Sequence, residues 1–162
     1  ESWLLTDSQT RVVSLSQGRQ KTLLAGTNNA GIFSFDLQTK SQYWQFVGNG
    51  QNFEMVAQPI QNADGLVFFG AARFWLHVVE GNGDYHWHNE LDIPDGDLGA
   101  ILWPSSPILR EDGLAIFHNG NRINAVRCSE TGPAKLAWPR FGANNLNSGN
   151  IADPRLLEAT PE

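Results

Sequence analysis

The sequence predicts an all-β protein, a portion of a β-propeller with about three complete four-stranded antiparallel blades and partial strands on either side. Four tryptophans, Trp3, Trp44, Trp87 and Trp138, recur at separations of 41, 43 and 51 residues. Short apolar runs separated by Gly, Asn, Asp and Ser fill the intervals, without helical periodicity. A period of about 40 to 50 residues with several strands in each period is typical of propeller blades.

Three complete units can be aligned, at about 11–47, 55–91 and 105–139, within repeats that cover 2–150; residues 151–162 are predicted to form a C-terminal tail or closing strand. Each unit has four runs rich in Val, Ile, Leu, Phe and Trp. Turn clusters between them supply positive-φ positions, so consecutive strands should pair antiparallel. The predicted strands are Arg11–Leu15, Lys21–Gly26, Gly31–Asp36 and Ser41–Phe46; Met55–Ile60, Gly65–Gly70, Phe74–Glu80 and Asp84–His88; and Ser106–Leu109, Gly113–His118, Arg122–Arg127 and Lys135–Trp138.

The apolar pattern differs between the strands of a unit. The second strand is almost continuously apolar, as in Leu66–Phe69, which predicts a strand covered on both faces. In the first two units it ends at Gly26 and Gly70, and His118 takes this place in the third, which we attribute to local packing rather than catalysis. The third strand alternates more and the fourth is polar apart from its aromatic residue. We therefore expect burial to fall toward the outer strands.

The repeated tryptophans have two possible roles. One is to stack against a bound carbohydrate. Their fixed place in each unit instead favours a structural wedge between adjacent blades, where each buried indole stabilises the stack by about 2 to 3 kcal/mol.

Several stretches carry a family resemblance. An apolar strand leads through a Thr-containing turn into a strand that ends in Trp, and a Trp-x-x-Phe-Gly-x-Asn-x-x-Asn-x-Gly run closes the repeats. In this sequence the stretches are Ile32–Asp36 with Thr39–Trp44, Ile123–Val126 with Glu130–Gly132, and Trp138–Gly149. They resemble the repeat of the PQQ-like, or quinoprotein-dehydrogenase-like, β-propellers.

This resemblance implies a fold more than an activity, because the same repeat serves enzymes, assembly scaffolds and adhesins. The second unit departs from the pattern, with Glu80–Gly83 where an Asp-x-x-Thr-Gly turn belongs. PQQ alcohol dehydrogenases place two adjacent cysteines against their cofactor, whereas Cys128 is the single cysteine here. We therefore expect no cofactor, and PQQ least of all, within this portion.

Propellers close with about four to eight blades. Three complete units and two partial flanks supply fewer blades than a closed ring needs. We therefore expect the remaining blades to come from missing polypeptide or from a second chain. The net charge of −6 with only 11 Lys and Arg argues against a nucleic-acid partner. No apolar run is long enough to span a membrane. A secreted, periplasmic or cell-surface location fits this composition.

Three histidines form one candidate metal site. His86 and His88 flank Trp87 and, by the two-residue period of a strand, should project to the same side, with His77 on the preceding strand. Imidazoles grouped in this way bind zinc or copper. Polar residues on a solvated outer strand are the commoner outcome, and we favour that interpretation.

The connector after the second unit holds the other candidate sites. Asp92, Asp95 and Asp97 lie in a run of four carboxylates within eight residues, a composition suited to calcium, although a solvated acidic loop is the simpler explanation. Trp103 falls outside the repeat rhythm and could anchor a protein partner, or pack within its loop. These four residues are the predicted partner-binding set.

The function that the sequence favours is a non-catalytic propeller scaffold that presents inter-blade loops to a protein partner. Two other classes stay open: a fragment of a PQQ-dependent dehydrogenase, and a glycan-binding propeller. No catalytic residue is predicted, and the sequence favours a non-enzymatic protein over an enzyme.

Overall fold

The computed structural model describes residues 10–48, 56–71, 75–90, 106–119 and 122–134. Within these ranges every regular element is a β-strand, which confirms the all-β class. The strands are β1 (Val12–Gln17), β2 (Thr22–Thr27), β3 (Ile32–Asp36), β4 (Ser41–Phe46), β5 (Ile60–Gln61), β6 (Val67–Ala71), β7 (Trp75–Val79), β8 (Tyr85–Glu90), β9 (Ile108–Leu109), β10 (Leu114–Asn119) and β11 (Arg122–Arg127).

The strands form three antiparallel sheets in chain order. The first sheet has the order β1-β2-β3-β4, the second β5-β6-β7-β8 and the third β9-β10-β11, so each strand pairs with its neighbours in sequence. Strands lie over eleven of the twelve predicted stretches. The twelfth, Lys135–Trp138, lies outside the described residues. The first strands of the second and third sheets have two residues each, shorter than the sequence predicts.

One row of directly opposed residues recurs across the sheets at the same register. In the first sheet it ends at Trp44 and in the second at Trp87, each being the partner of a residue on the third strand. We call these the Trp rows. Their members are Ser16, Leu24, Ser34 and Trp44 in the first sheet; Ile60, Phe68, Val78 and Trp87 in the second; and Ile108, Ile116 and Ala125 in the third.

The sheets pack face to face through two apolar clusters. The first interface joins the first and second sheets; the second interface joins the second and third. The first contains Leu24, Ile32, Trp44, Phe46, Val56, Val67, Phe69, Ala71 and Val79. The second contains Ile60, Phe68, Leu76, Val78, Leu109, Ala115 and Phe117, with Leu66, Trp87, Val126 and Cys128 at its margin. A third cluster, with Ala25, Phe33 and Phe35, lies on the other face of the first sheet.

Each sheet therefore has two faces. The face that carries the Trp row we call the forward face, and in the first two sheets it packs against the following sheet. The opposite face, which includes Ala25 and Phe33 in the first sheet, Phe69 in the second and Phe117 in the third, we call the backward face. Side chains that alternate along each strand divide between these faces.

Burial in the third strands differs from the sequence expectation. β3 and β7 are buried on both faces where their side chains are described, as fully as β2 and β6. β11 alternates between exposed and half-buried residues, and β1 is largely exposed although it is the first strand of its sheet. The physical reason is that apolar clusters lie on both faces of the first and second sheets, whereas no residue of the edge strand β1 belongs to these clusters.

The β3–β4 turn keeps its shape without glycine. Asp36 Oδ1 accepts hydrogen bonds from the backbone N–H groups of Gln38 at 2.7 Å and Thr39 at 2.9 Å. These two hydrogen bonds, of which that from Thr39 has the larger effect, hold the pKa of Asp36 below its usual value. Lys40 has a φ of 59° at the position where the PQQ-like repeat, which this sequence resembles, has glycine.

Candidate functional site

The predicted partner-binding and calcium residues, Asp92, Asp95, Asp97 and Trp103, lie outside the described residues. Trp3 and Trp138 do so as well. The described part of the predicted sites therefore consists of two tryptophans, two glycines and the histidines of the second sheet.

Trp44 lies in the first interface, where its side chain is buried. Its Nε1 donates a hydrogen bond to the carbonyl oxygen of Gly81, 2.8 Å away in the β7–β8 turn of the second sheet. The ring covers Gly83, whose φ is 92°, and a Cβ added there would lie 2.8 Å from Trp44 Cδ2. The indole thus connects the outer strand of one sheet to the outer turn of the next.

Trp87 has the equivalent register position in the second sheet. It is half-buried and packs against the second interface, which contains side chains of both the second and third sheets. Both described tryptophans of the repeat are therefore inter-sheet residues.

The repeat glycines mark where a connecting segment crosses the sheets. A Cβ at Gly26 would collide with Ser14 Oγ and lie 2.9 Å from the carbonyl oxygen of Val56. The carbonyl oxygen of Gly70 accepts a hydrogen bond from Ala57 N at 2.8 Å. A backbone without a side chain permits this close approach.

A largely buried connector, Val56–Asn62, leads into and includes β5 and bonds to all three sheets. Gln58 donates to Leu15 O of the first sheet through its Nε2, while its backbone N donates to Ser106 Oγ, which precedes β9, at 3.0 Å. Gln61 Oε1 accepts from Arg19 N at 2.6 Å, and Gln61 Nε2 donates to Gly65 O at 2.7 Å. These side-chain amides are buried, and buried amides are stable when such bonds are made.

Asn62 extends this connector toward the third sheet. It pairs with Pro133 as an isolated antiparallel bridge, and its Nδ2 donates to Thr131 Oγ1 at 3.2 Å. Thr131 Oγ1 in turn donates to Asp64 Oδ2 at 2.6 Å. Sequence reasoning did not single out these residues, because their bonding partners lie up to 69 residues away along the chain.

Among the described residues, the histidines of the second sheet do not form the three-membered metal site that was one candidate. A β-bulge follows Val78, so that Trp87 pairs with Val78 and Tyr85 with Val79, which leaves His86 as the extra residue. His86 Nδ1 lies 2.6 Å from Glu80 Oε1. The first sheet has a bulge at the same register, with Tyr43 as its extra residue. This bulge interrupts the strict alternation on which the expected grouping of His86 with His88 rested.

His77 and His88 belong instead to a closed cycle of rings in the first interface. Phe46 contacts Phe69 and Tyr85 at centroid distances of 6.2 and 6.4 Å. Phe69 stacks on His77 at 5.4 Å, and His88 lies 5.8 Å from both His77 and Tyr85. Tyr85 Oη and His88 Nδ1 are 2.8 Å apart. The cycle runs from the buried core to the exposed edge of the second sheet.

Burial gives His77 an unusual protonation equilibrium. Its side chain is 5% exposed. Desolvation, together with the nearby His88, lowers the pKa of His77 from 6.5 to about 4. The imidazole is therefore neutral at physiological pH and behaves as one more flat ring in the interface.

Cys128 and His118 complete the reactive side chains that the sequence pointed to. Cys128 packs at the margin of the second interface, where burial raises the pKa of its thiol to about 11. His118 is exposed on β10 and pairs across the sheet with Ile123. In the described ranges no three residues among His, Cys, Asp and Glu are grouped so that they could hold a metal ion. The same ranges contain no helix suited by length and apolarity to crossing a membrane.

Comparison with known proteins gives no family. No protein-family model and no curated protein matches the sequence. Among solved structures, the chain is similar to one described as "Kluyveromyces lactis Hsv2 complete loop 6CD", with 10% sequence identity and a TM-score of 0.46. The match covers 83% of this chain and spans 38% of the length of that one. A likeness of this size supports no statement about the present protein.

Proposed function

We propose that the protein is a non-catalytic β-propeller scaffold of the PQQ-like type, in which rigid blades present inter-blade loops to a protein partner. The observation that carries the proposal is the recurrence of the Trp row. Successive antiparallel sheets stack face to face in chain order, and the two described repeat tryptophans occupy the same register at successive interfaces. A radial stack of blades requires this repetition of register and facing.

The stiffness of the stack supports a role as a scaffold. The connector from Val56 to Asn62 bonds to all three sheets through backbone and buried amide groups. Rigid blades of this kind position the loops that carry binding residues. The connector between the second and third sheets, which contains Asp92, Asp95, Asp97 and Trp103, is the loop that we assign to the partner.

Replacement of Trp103 by Ala tests this assignment. We expect Trp103→Ala to weaken capture of the protein partner from the cells that make the protein, with nearly unchanged thermal stability. An Asp92, Asp95 and Asp97 triple change to Asn tests the acidic part of the loop. Tyr43→Ala, which removes an exposed aromatic side chain from the first sheet, is the matched control. A large drop in melting temperature for Trp103→Ala would show that the residue is core instead.

Incubation with PQQ and calcium separates the scaffold from a dehydrogenase. A scaffold should show neither a bound chromophore nor dye-linked alcohol oxidation. A retained quinone absorbance with turnover would overturn the proposal.

Native mass spectrometry of the assembled species would reveal any second polypeptide that contributes blades. Fractionation of the source cells would test the secreted or periplasmic location.

A further inference from the structure

Two lysines of the first sheet stand where other sheets have glycine. Lys21 has a φ of 61°, and the corresponding residues of the β5–β6 and β9–β10 turns are Gly65 at 104° and Gly113 at 78°. Each of the three directly precedes the residue whose carbonyl oxygen closes its turn. Lys40 has a φ of 59° at the end of the β3–β4 turn, where the β7–β8 turn has Gly83 at 92°. The first sheet thus keeps long cationic side chains at positions that the other turns leave to glycine.

The backbone of these lysines is strained. Their φ values lie in the left-handed region, which glycine adopts freely and residues with a Cβ adopt at a cost in free energy. Among the described residues, those other than glycine with a positive φ are Gln20, Lys21 and Lys40. All three are exposed and lie in two turns at one end of the first sheet. Strain that glycine would relieve, concentrated in one place, is typical of functional positions.

That end of the molecule has charges of opposite sign on its two halves. We call it the turn end, and it is the end of the first two sheets at which β1, β3, β5 and β7 finish. Its half on the first sheet carries three exposed cations and one carboxylate: Arg19, Lys21, Lys40 and Asp36. Its half on the second sheet carries carboxylates: Asp64, Glu80 and Asp84. The described residues of the second sheet, 56–71 and 75–90, contain no lysine or arginine.

The two halves are adjacent and fixed relative to each other. Arg19 N donates to Gln61 Oε1, and a Cβ at Gly65 would lie 3.5 Å from Arg19 Nη1. The Trp44 bond to Gly81 O joins the outer part of the same end. Adjacent patches of opposite sign are complementary to the same surface rotated by half a turn, because the basic half of each copy then faces the acidic half of the other.

We infer that the turn end is a self-association surface. Two copies of the chain pair there about a two-fold axis, with Lys21 and Lys40 of each copy against Asp64 and Asp84 of the other. This pairing uses turns and not sheet faces, so it is separate from the stacking of blades. It is also separate from the Trp103 loop, because β8 runs away from the turn end and the connector that follows it leaves from the opposite end.

Sedimentation velocity of the full protein tests the inference. Exposed ion pairs add little affinity but give orientation and salt dependence. We expect a concentration-dependent equilibrium between monomer and dimer that shifts toward monomer as sodium chloride rises from about 0.05 M to about 0.5 M, because salt screens exposed charges. A protein that stays monomeric, or a dimer that salt does not weaken, would overturn the inference.

Charge reversal tests the pairing itself. Lys21→Glu with Lys40→Glu makes both halves acidic, and Asp64→Lys with Asp84→Lys makes both halves basic, so each double variant alone should lose the dimer. An equal mixture of the two should restore it as a heterodimer, because opposite charges then face each other in both halves. Failure of the mixture to associate would refute the two-fold arrangement.

A control makes the same change of net charge away from the turn end. Arg11→Glu with Arg122→Glu alters residues at the opposite ends of their strands, since Arg11 directly precedes β1 and Arg122 begins β11. This variant, like Trp103→Ala, should dimerise as the unaltered protein does. Equal loss of the dimer in the arginine variant would assign the association to net charge and overturn the inference.

Glycine variants separate association from folding. Lys21→Gly with Lys40→Gly relieves the backbone strain and removes both cations. We expect an unchanged or higher melting temperature together with loss of the dimer. A lower melting temperature with an intact dimer would show that the lysines serve the fold, and it would overturn the inference.

Discussion

The two interfaces between the sheets use the same register positions with different chemistry. In the first, Trp44 is buried and hydrogen-bonded to Gly81, and a cycle of rings that includes His77 reaches the surface. In the second, Trp87 is half-buried and the remaining core is aliphatic apart from Phe68 and Phe117. The repeat thus determines which positions are buried, while the individual side chains determine how each interface responds to mutation and pH.

The largest expected difference concerns the two tryptophans. Trp44→Ala should lower the free energy of unfolding by about 3 to 5 kcal/mol, because it removes a buried indole and its hydrogen bond to Gly81. Trp87→Ala should cost about half as much, since part of its side chain already faces solvent. Urea denaturation followed by far-ultraviolet circular dichroism measures both. Equal losses would show that the two interfaces are energetically equivalent.

Acid should weaken the first interface through His77. The folded pKa of about 4 lies below the value of 6.5 for an unperturbed histidine, so the unfolded chain binds more protons between these pH values. The stabilisation is complete above pH 6.5 and is lost as the pH falls toward 4, by on the order of 3 kcal/mol. The titratable groups that contact His77 or its neighbour in the cycle are His88 and Tyr85.

His77→Phe is the matched control for this pH dependence. The first sheet carries Phe33 at the equivalent position, so the repeat accepts a phenyl ring there. The variant should lose the histidine part of the slope of unfolding free energy against pH. A slope that is the same in both proteins would assign the acid sensitivity to other groups.

The β7–β8 turn offers a smaller test of the first interface. Gly83→Ala should destabilise by about 1 to 3 kcal/mol, because φ is 92° and the new Cβ would press on the Trp44 ring. Gly65→Ala is the matched control, with a φ of 104° but no atom within 3.5 Å of its Cβ other than Arg19 Nη1 at that distance. It should show the backbone strain alone. Identical losses in thermal unfolding would remove the ring contact as a cause.

The all-β class could be predicted from the sequence because hydrophobic runs and turn clusters are local signals. These signals predict all eleven of the strands that the structure describes. The common position of Trp44 and Trp87 also follows from their spacing. The bulge at His86 could not be predicted, since nothing in the local residue pattern distinguishes a bulged residue from a regular one. The buried amides of Gln58 and Gln61 were missed for a different reason: their roles depend on backbone groups of other sheets.

A last test measures chemical reactivity instead of stability and reports on the second interface alone. Cys128 lies at its margin, and burial raises the pKa of the thiol from 9.0 to about 11. Alkylation by iodoacetamide at pH 8 should therefore be about a hundredfold slower in the folded protein than in urea, because the thiolate is the reactive form.

Two variants separate the interfaces in this measurement. His77→Phe, in the first interface, should leave the alkylation rate of Cys128 unchanged. Phe117→Ala, in the second interface, should raise it, since it opens the packing on which the burial of Cys128 depends. If Phe117→Ala left the rate unaltered while lowering the stability, the low reactivity would have to arise within β11 itself and not from the contact between the second and third sheets.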